Sequence, residues 1–128
     1  MTMCNVKIRT ARVYDDPVGT REDGYRVFVD RLWPRGESKD TFHYDLWAKD
    51  VAPSAGLREW FHDDPDGRWE EFRNRYIGEL RLSGAGHELA DDLLRYPAVT
   101  LLYGSRDQLH NNAVVLAEYL AREMDTSA

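Results

Sequence analysis

The alternation of apolar and polar positions divides the chain into strands and helices. The alternating stretch "CNVKIR" and the apolar run in "YRVFVDRL" predict two strands, and the continuous apolar run "AVTLLYG" predicts a strand that is buried on both faces. Stripes of apolar residues spaced three and four apart predict helices in the second half of the chain. The predicted strands are residues 4–9, 25–32 and 98–104, residues 44–51 form an extended segment, and the last helix covers 108–124.

Capping residues predict where the helices begin and end. Ser54 is a suitable N-cap for a first helix, and Asp64 followed by Pro65 is typical of the start of a second. Gly84 and Gly86 are expected to interrupt the helical pattern after residue 83. A further helix with leucines at 89, 93 and 94 stops before a proline, and the buried strand follows it.

The order of these elements predicts an α/β fold. We expect a small mixed sheet with helices packed on its faces, in a Rossmann-like three-layer arrangement. A length of 128 residues fits one domain, with its core at about residues 6–120 and a frayed tail at 125–128.

Composition and charge narrow the function classes. A net charge of −6 and a pI near 5.2 are unfavourable for binding nucleic acid through a broad basic surface. The single cysteine, Cys4, cannot form an internal disulfide, and no apolar run reaches the roughly 20 residues of a membrane span. We therefore expect a cytoplasmic protein without membrane contact, and the oligomeric state stays open.

Cations and an indole are concentrated where the second predicted strand ends. The stretch "DRLWPRG" carries Asp30, Arg31, Trp33 and Arg35 around a proline. Two guanidiniums beside an aromatic face suit a phosphate, a carboxylate or a base. A structural alternative is equally open, in which Asp30 pairs with one arginine and Trp33 packs over the sheet edge.

A second polar cluster follows the last predicted strand. In "YGSRDQLHNNAVVL", Asp107 is expected to cap the last helix, and the first turn then contains His110, Asn111 and Asn112. Asparagine is a poor helix former, so two in succession suggest another use for their amides. Open α/β sheets bind ligands beyond the carboxyl ends of their strands, where helix N-termini attract anions. Local satisfaction of backbone groups by these side chains is the alternative.

The two clusters together predict an anion-binding cleft without a metal or cofactor. Asp30, Asp107 and His110 are the candidates for proton transfer. The candidate ligand-binding residues are Arg31, Trp33, Arg35, Lys49, Arg106, Asn111 and Asn112. The partner would be a small anionic ligand, phosphorylated or nucleotide-like.

Three functions remain open for such a cleft. The first is a metal-independent enzyme acting on this ligand, and the second is a binding module for a nucleotide or a single strand. The third is a small interaction protein whose polar loops only brace the structure. Whether chemistry takes place is left undecided by the residues alone.

Several long motifs carry a family resemblance. "DGYRVFVDRLWPRG", "LWAKDVAPS", "DPDGRWEEFRNRY" and "VTLLYGSRDQLHNNAVVL", in this order, resemble the bacterial YeaO-like family, a domain of unknown function, from about residue 6 to residue 120. The resemblance implies a single cytoplasmic domain with no established reaction. Relatives usually carry alanine or a similar small residue where this chain has Gly104 before "SRD".

Overall fold

Four parallel strands form the centre of the structure, a computed structural model that describes residues 6–127. The strands are β1 (Lys7–Arg12), β2 (Tyr25–Phe28), β3 (Leu46–Trp47) and β4 (Ala98–Tyr103), in the order β1-β4-β2-β3. Every neighbouring pair is parallel. The predicted α/β class is confirmed, and β4 lies centrally and is buried on both faces as its apolar run requires.

Four helices complete the fold. They are α1 (Ala55–His62), α2 (Pro65–Ser83), α3 (Ala85–Leu93) and α4 (Asn112–Ser127). The Ser54 hydroxyl accepts a hydrogen bond from the Leu57 amide, and the Asp64 carboxylate accepts one from the Gly67 amide. The predicted starts of α1 and α2 are therefore confirmed, because each cap satisfies an amide that the first helical turn leaves free.

All four helices contribute to the apolar cluster on one face of the sheet. Val27 and Leu101 point into this cluster with side chains of α1, α2, α3 and α4. Phe28 and Leu102 point to the other face, which is covered by Phe42 and neighbouring aromatic residues of the 29–45 connection. Loop aromatics thus form the layer that the three-layer prediction gave to helices, since the connections around β2 contain no helix long enough to cover a sheet.

Several boundaries differ from the sequence prediction. β1 covers 7–12 rather than 4–9, and Cys4 lies outside the described residues. β2 ends at Phe28 instead of residue 32, and residues 44–51 contain β3 followed by a 3-10 turn at Lys49–Val51. Gly84, with φ of 76°, separates α2 from α3, whereas Gly86 lies inside α3, where a Cβ would collide with the Tyr119 ring. α4 continues to Ser127, so residues 125–127 of the predicted frayed tail at 125–128 are helical, and residue 128 lies outside the described residues.

A buried ion pair fastens the loops behind the sheet. The Arg26 side chain is only 2% exposed, and its Nη1 lies 2.5 Å from the Asp23 carboxylate, which is fully buried. Arg26 also donates hydrogen bonds to the carbonyls of Asp16 and His43, at 2.9 Å each. Burial by itself raises the pKa of Asp23, but the hydrogen bond from Arg26 and the charge of Arg9 bring it below its ordinary value.

Removal of this cation should destabilise the protein strongly. Arg26→Met removes the cation that pairs with the buried Asp23 carboxylate, which keeps only Arg9 and Thr20 as donors, and it leaves three carbonyls without this donor. We therefore expect a loss of about 3–5 kcal/mol in the free energy of unfolding. The matched control is Arg75→Met, because Arg75 and Glu71 form an exposed pair that contributes about 1 kcal/mol or less. Urea denaturation of both variants measures the difference. Equal losses in the two variants would show that the Arg26 pair has no special role.

Candidate functional site

The two polar stretches singled out in the sequence line one cleft of about 550 Å³. Because β2 and β4 are parallel neighbours, the residues after Phe28 and after Tyr103 emerge at the same edge of the sheet. The side chains of Arg31, Trp33 and Arg35 enter the cleft from the first stretch. From the second stretch come Ser105, Arg106, Asp107, His110, Asn111 and Asn112.

Asp30 lies where the end of β2, the end of β4 and the start of α4 meet. Its Oδ2 accepts a hydrogen bond of 2.8 Å from the Gly104 amide, and its Oδ1 accepts one of 3.0 Å from Asn112 Nδ2. The Asp30 carbonyl accepts a third bond, of 2.8 Å, from Trp47 Nε1. One half-buried aspartate therefore holds together the segments that form the cleft.

Burial raises the pKa of the Asp30 carboxyl above its ordinary value, although the hydrogen bonds from Gly104 and Asn112 oppose the shift. The positive charges of Arg58 and His62, both on α1, also oppose it. Burial together with the charge of Arg58 lowers the pKa of His62. The cleft thus contains a carboxyl and an imidazole whose pKa values shift towards each other.

Four arginines line the cleft and form no salt bridge with a described residue, although the charge of Arg58 acts on Asp30. Within the described part of the chain, Arg31, Arg35, Arg58 and Arg106 take part in no ion pair. Arg31 makes only two long contacts, of 3.4 and 3.5 Å, with the carbonyls of Pro53 and Ala52. The structural alternative, in which Asp30 pairs with Arg31 or Arg35, therefore does not describe this site. Positive side chains outnumber the two aspartates that line the cleft.

Trp33 contributes to the cleft wall and to the aromatic layer together. Its ring packs edge-on against Phe42 and Trp47, at centroid distances of 5.6 and 5.5 Å. Its Nε1 donates a hydrogen bond of 2.6 Å to the Glu37 carbonyl. Packing and hydrogen bonding therefore hold the indole in place where it borders the cleft.

Asp107 does not cap α4, contrary to the sequence prediction. It caps a separate turn, accepting bonds of 2.9 Å from the amides of Leu109 and His110, and the bond from His110 is the main cause that lowers the pKa of Asp107. The N-cap of α4 is Asn111, whose Oδ1 accepts a 3.0 Å bond from the Val114 amide. Asparagine is a favoured cap, so the pair of asparagines marks the start of the helix.

Both asparagine amides have structural partners. Asn111 Nδ2 donates a bond of 2.9 Å to the Asp107 carbonyl, and Asn112 Nδ2 donates to the Val29 carbonyl, at 3.1 Å, besides its bond to Asp30. Lys49, predicted as a further cation of the site, lies outside the cleft with its ammonium 4.0 Å from the centre of the Trp47 ring.

Among the described residues, Asp66, Asp107 and His110 form a group that could hold a metal ion. Their potential ligand atoms lie within 4.8 Å of one another. His110 Nδ1 lies 3.1 Å from the Asp66 carboxylate and 3.4 Å from that of Asp107. The Trp69 ring lies 4.9 Å from the imidazole. Since the histidine–carboxylate contacts account for the proximity of the three groups, we assign no metal to them.

The sequence interpretation did not find the contribution of α1 and of Tyr14. Arg58 and His62 lie one turn apart on α1 and both line the cleft. The sequence did contain a signal for these two residues, since each directly follows a buried residue, Leu57 or Phe61. They therefore fall at the edge of the packed face of the helix. Tyr14 also lines the cleft, and its hydroxyl donates a bond of 2.8 Å to the Arg35 carbonyl.

The fold and the cleft define an α/β protein with a polar site at the carboxyl edge of a parallel sheet. A family model described as "Inactive DUF488-N3 subclade" matches residues 7–128. The chain belongs to this family, DUF488-N3i, and is YeaO-like as its motifs predicted.

Two bacterial relatives match nearly the whole chain. The uncharacterized protein YeaO of Escherichia coli is 40% identical over 116 residues, which are 90% of this chain and 97% of YeaO. The uncharacterized protein Rv3073c of Mycobacterium tuberculosis is 45% identical over 114 residues, 89% of this chain and 93% of Rv3073c. No solved structure gives a significant match. No helix in the described part of the chain is long and apolar enough to span a membrane.

The raised pKa of Asp30 has a consequence for stability. The folded protein holds the Asp30 proton more tightly than the unfolded chain, whose ordinary value is 3.8. The free energy of unfolding should therefore fall as the pH rises from about 3.8 to the pKa of Asp30 in the folded protein. Asp30→Asn should abolish the contribution of Asp30 to this pH dependence. Urea denaturation between about pH 4 and pH 8 measures the two profiles.

The control for this experiment is His62. Its lowered pKa acts in the opposite direction, because the unfolded chain binds the His62 proton more tightly, so stability rises with pH up to the ordinary histidine value. Both profiles are therefore also recorded in a His62→Gln background. Parallel pH profiles with and without Asp30 in that background would contradict a raised pKa.

Proposed function

We propose that this protein binds a small anionic ligand, a phosphate monoester by preference, in the cleft between the two polar stretches. The observation that carries the proposal is the set of four arginines that line the cleft and form no salt bridge within the described part of the chain. Arginine presents a planar array of donors that matches the oxygens of a phosphate. Such a group is available to a ligand only where the protein does not already neutralise it.

The size and lining of the cleft support a small molecule over a polymer. A volume of about 550 Å³ falls in the usual range for small-ligand pockets. Apolar side chains such as Pro53 and Phe61 accompany the arginines, which gives the mixture of apolar wall and few polar groups that is typical of these pockets. The overall charge of −6 is unfavourable for a long nucleic acid.

Binding without turnover is the form of this function that the family description favours. The matching family is described as an inactive subclade, and both relatives are named only as uncharacterized proteins. Asn111 and Asn112 have backbone or structural partners, so they serve mainly to shape the cleft. We therefore place the protein among ligand-binding modules.

Isothermal titration calorimetry tests the proposal. AMP and inorganic phosphate should bind, whereas adenosine, which lacks the phosphate, should not. Arg31→Ala and Arg106→Ala should each weaken AMP binding by about 10- to 100-fold, as expected for the loss of one charge-assisted hydrogen bond. Moderate salt should weaken it further.

Arg95→Ala is the matched control. Arg95 precedes β4 and so lies at the opposite edge of the sheet, and its replacement removes the same charge without touching the cleft. Its affinity for AMP should equal that of the wild type. Equal losses in all three variants, or equal binding of AMP and adenosine, would refute an anion site in the cleft. Tighter binding of a short single-stranded oligonucleotide than of AMP would favour a nucleic-acid module instead.

The second candidate function is that of a metal-independent enzyme, and the environment of Asp30 favours it. A half-buried carboxyl with a raised pKa at the edge of a cleft is suited to proton transfer. NMR of wild-type protein incubated with a saturating phosphate monoester measures this directly. Product that accumulates with the wild type and fails to accumulate with Asp30→Asn would establish catalysis, and an unchanged spectrum would reject it for that ligand.

A further inference from the structure

Asp30 retains acceptor capacity that its protein contacts leave unused. Each carboxylate oxygen accepts one hydrogen bond, Oδ1 from Asn112 and Oδ2 from Gly104. An ionised carboxylate has about four acceptor sites, so about one remains on each oxygen. Asp30 also lines the cleft. The two free sites therefore belong to one rigidly held group that a ligand can reach.

The groups around Asp30 keep it aimed into the cleft. Trp47 Nε1 donates a hydrogen bond to its backbone carbonyl. Its carboxylate accepts bonds from the Gly104 amide and from Asn112 Nδ2, which also donates to the Val29 carbonyl. Arg58 and His62 lie near enough to influence its charge. A carboxylate fixed in this way favours a ligand that presents two adjacent donors, because both bonds can form without reorganising the protein.

We propose that the cleft recognises a phosphorylated sugar, with Asp30 accepting hydrogen bonds from two neighbouring hydroxyls and the arginines holding the phosphate. This inference rests on the proposed anion-binding function and names its ligand class. In dinucleotide-binding α/β folds, an acidic side chain accepts a hydrogen bond from a ribose hydroxyl in the same way. The arginines supply the positive charge and Asp30 the acceptors that such a ligand requires.

The aromatic residues of the cleft favour a sugar over a base beside Asp30. Phe61 and Phe72 are buried and stack on each other at a centroid distance of 4.0 Å. Trp33 is packed against Phe42, and the Tyr14 ring is covered by the Arg12 guanidinium at 4.8 Å. Each of these rings already has a partner, so a flat base would find less stacking surface than a pocket for bases normally offers. A sugar needs only the polar groups.

Calorimetry on the full chain, with ribose 5-phosphate and 2-deoxyribose 5-phosphate as probes, tests the inference. Both molecules carry the phosphate, and the deoxy sugar lacks one of the two neighbouring hydroxyls that Asp30 is proposed to bind. The wild type should bind ribose 5-phosphate at least about 10-fold more tightly, since the deoxy sugar leaves one acceptor of Asp30 without a donor. Equal affinity for the two sugars would overturn the inference.

Asp30→Asn supplies the second arm. An asparagine can still accept from the Gly104 amide, but its Nδ2 then faces the donor Asn112 Nδ2, so the bond from Asn112 and one acceptor oxygen are lost together. Affinity for ribose 5-phosphate should fall by about 10-fold or more, and the preference over the deoxy sugar should disappear. Affinity for inorganic phosphate should not fall, because the phosphate contacts the arginines. If the variant fails to fold, the wild-type comparison of the two sugars still decides.

Two further outcomes separate the ligand class from the proposed function. Binding of GMP and dGMP with equal affinity, and more tightly than AMP, would assign Asp30 to the edge of a guanine base and overturn the sugar assignment. No binding of inorganic phosphate or of either sugar phosphate would refute the anion-binding function itself. Binding of all phosphates without discrimination between the two sugars would refute only the inference about Asp30.

Discussion

The buried guanidinium of Arg26 is the interaction on which the rest of the structure depends. It lies within the short strand β2, and because side chains alternate along a strand it points to the same face as Phe28, which loop aromatics cover. There it joins Asp23 to carbonyls of both connections that flank β2, at Asp16 and at His43. A buried charge is stable only when its donors are all used, so the loops can adopt few other arrangements. With the loops held, the aromatic layer packs on Phe28 and Leu102.

The cleft follows from this arrangement and from the direction of the strands. Parallel strands bring their carboxyl ends to one edge, and the connections fastened by Arg26 leave the residues after Phe28 free to turn back over that edge. Asp30 then binds the Gly104 amide of the neighbouring strand end and the Asn112 amide of α4. The same carboxylate therefore closes the floor of the cleft and remains accessible within it. In the proposed function this one residue serves both stability and recognition, and its burial is what raises its pKa.

Local signals made part of this structure predictable. Ser54 and the Asp64-Pro65 pair marked helix starts because capping is a short-range interaction. The apolar run of β4 indicated a central strand, because only a strand that is buried on both faces requires apolar residues throughout. The meeting of "DRLWPRG" with "YGSRDQLHNN" was predictable from strand ends alone. The start of α4 was not, because Asp107 and Asn111 are both good caps, and each of them caps a turn of its own. The helix begins at the second turn, where Asn112 makes long-range bonds to Val29 and Asp30. The role of α1 in the cleft depends on packing of the whole helical layer, which no short stretch encodes.

Arg26 and Arg31 show why the cleft cations are suited to binding. They lie five positions apart, at the two ends of the same chain segment, yet Arg26 is 2% exposed with all of its nitrogens engaged, whereas Arg31 is exposed with two contacts of 3.4 Å or longer. A saturated guanidinium stabilises the fold and has nothing left for a ligand. An unsaturated one adds little to stability and retains its full donor set. In a chain with 23 acidic against 17 basic residues, acidic partners are plentiful, yet Arg31 and Arg35 line a cleft whose described lining contains only two aspartates. Asp107 accepts bonds from backbone amides and Asp30 from Gly104 and Asn112, and among the described residues neither aspartate forms a salt bridge with Arg31 or Arg35.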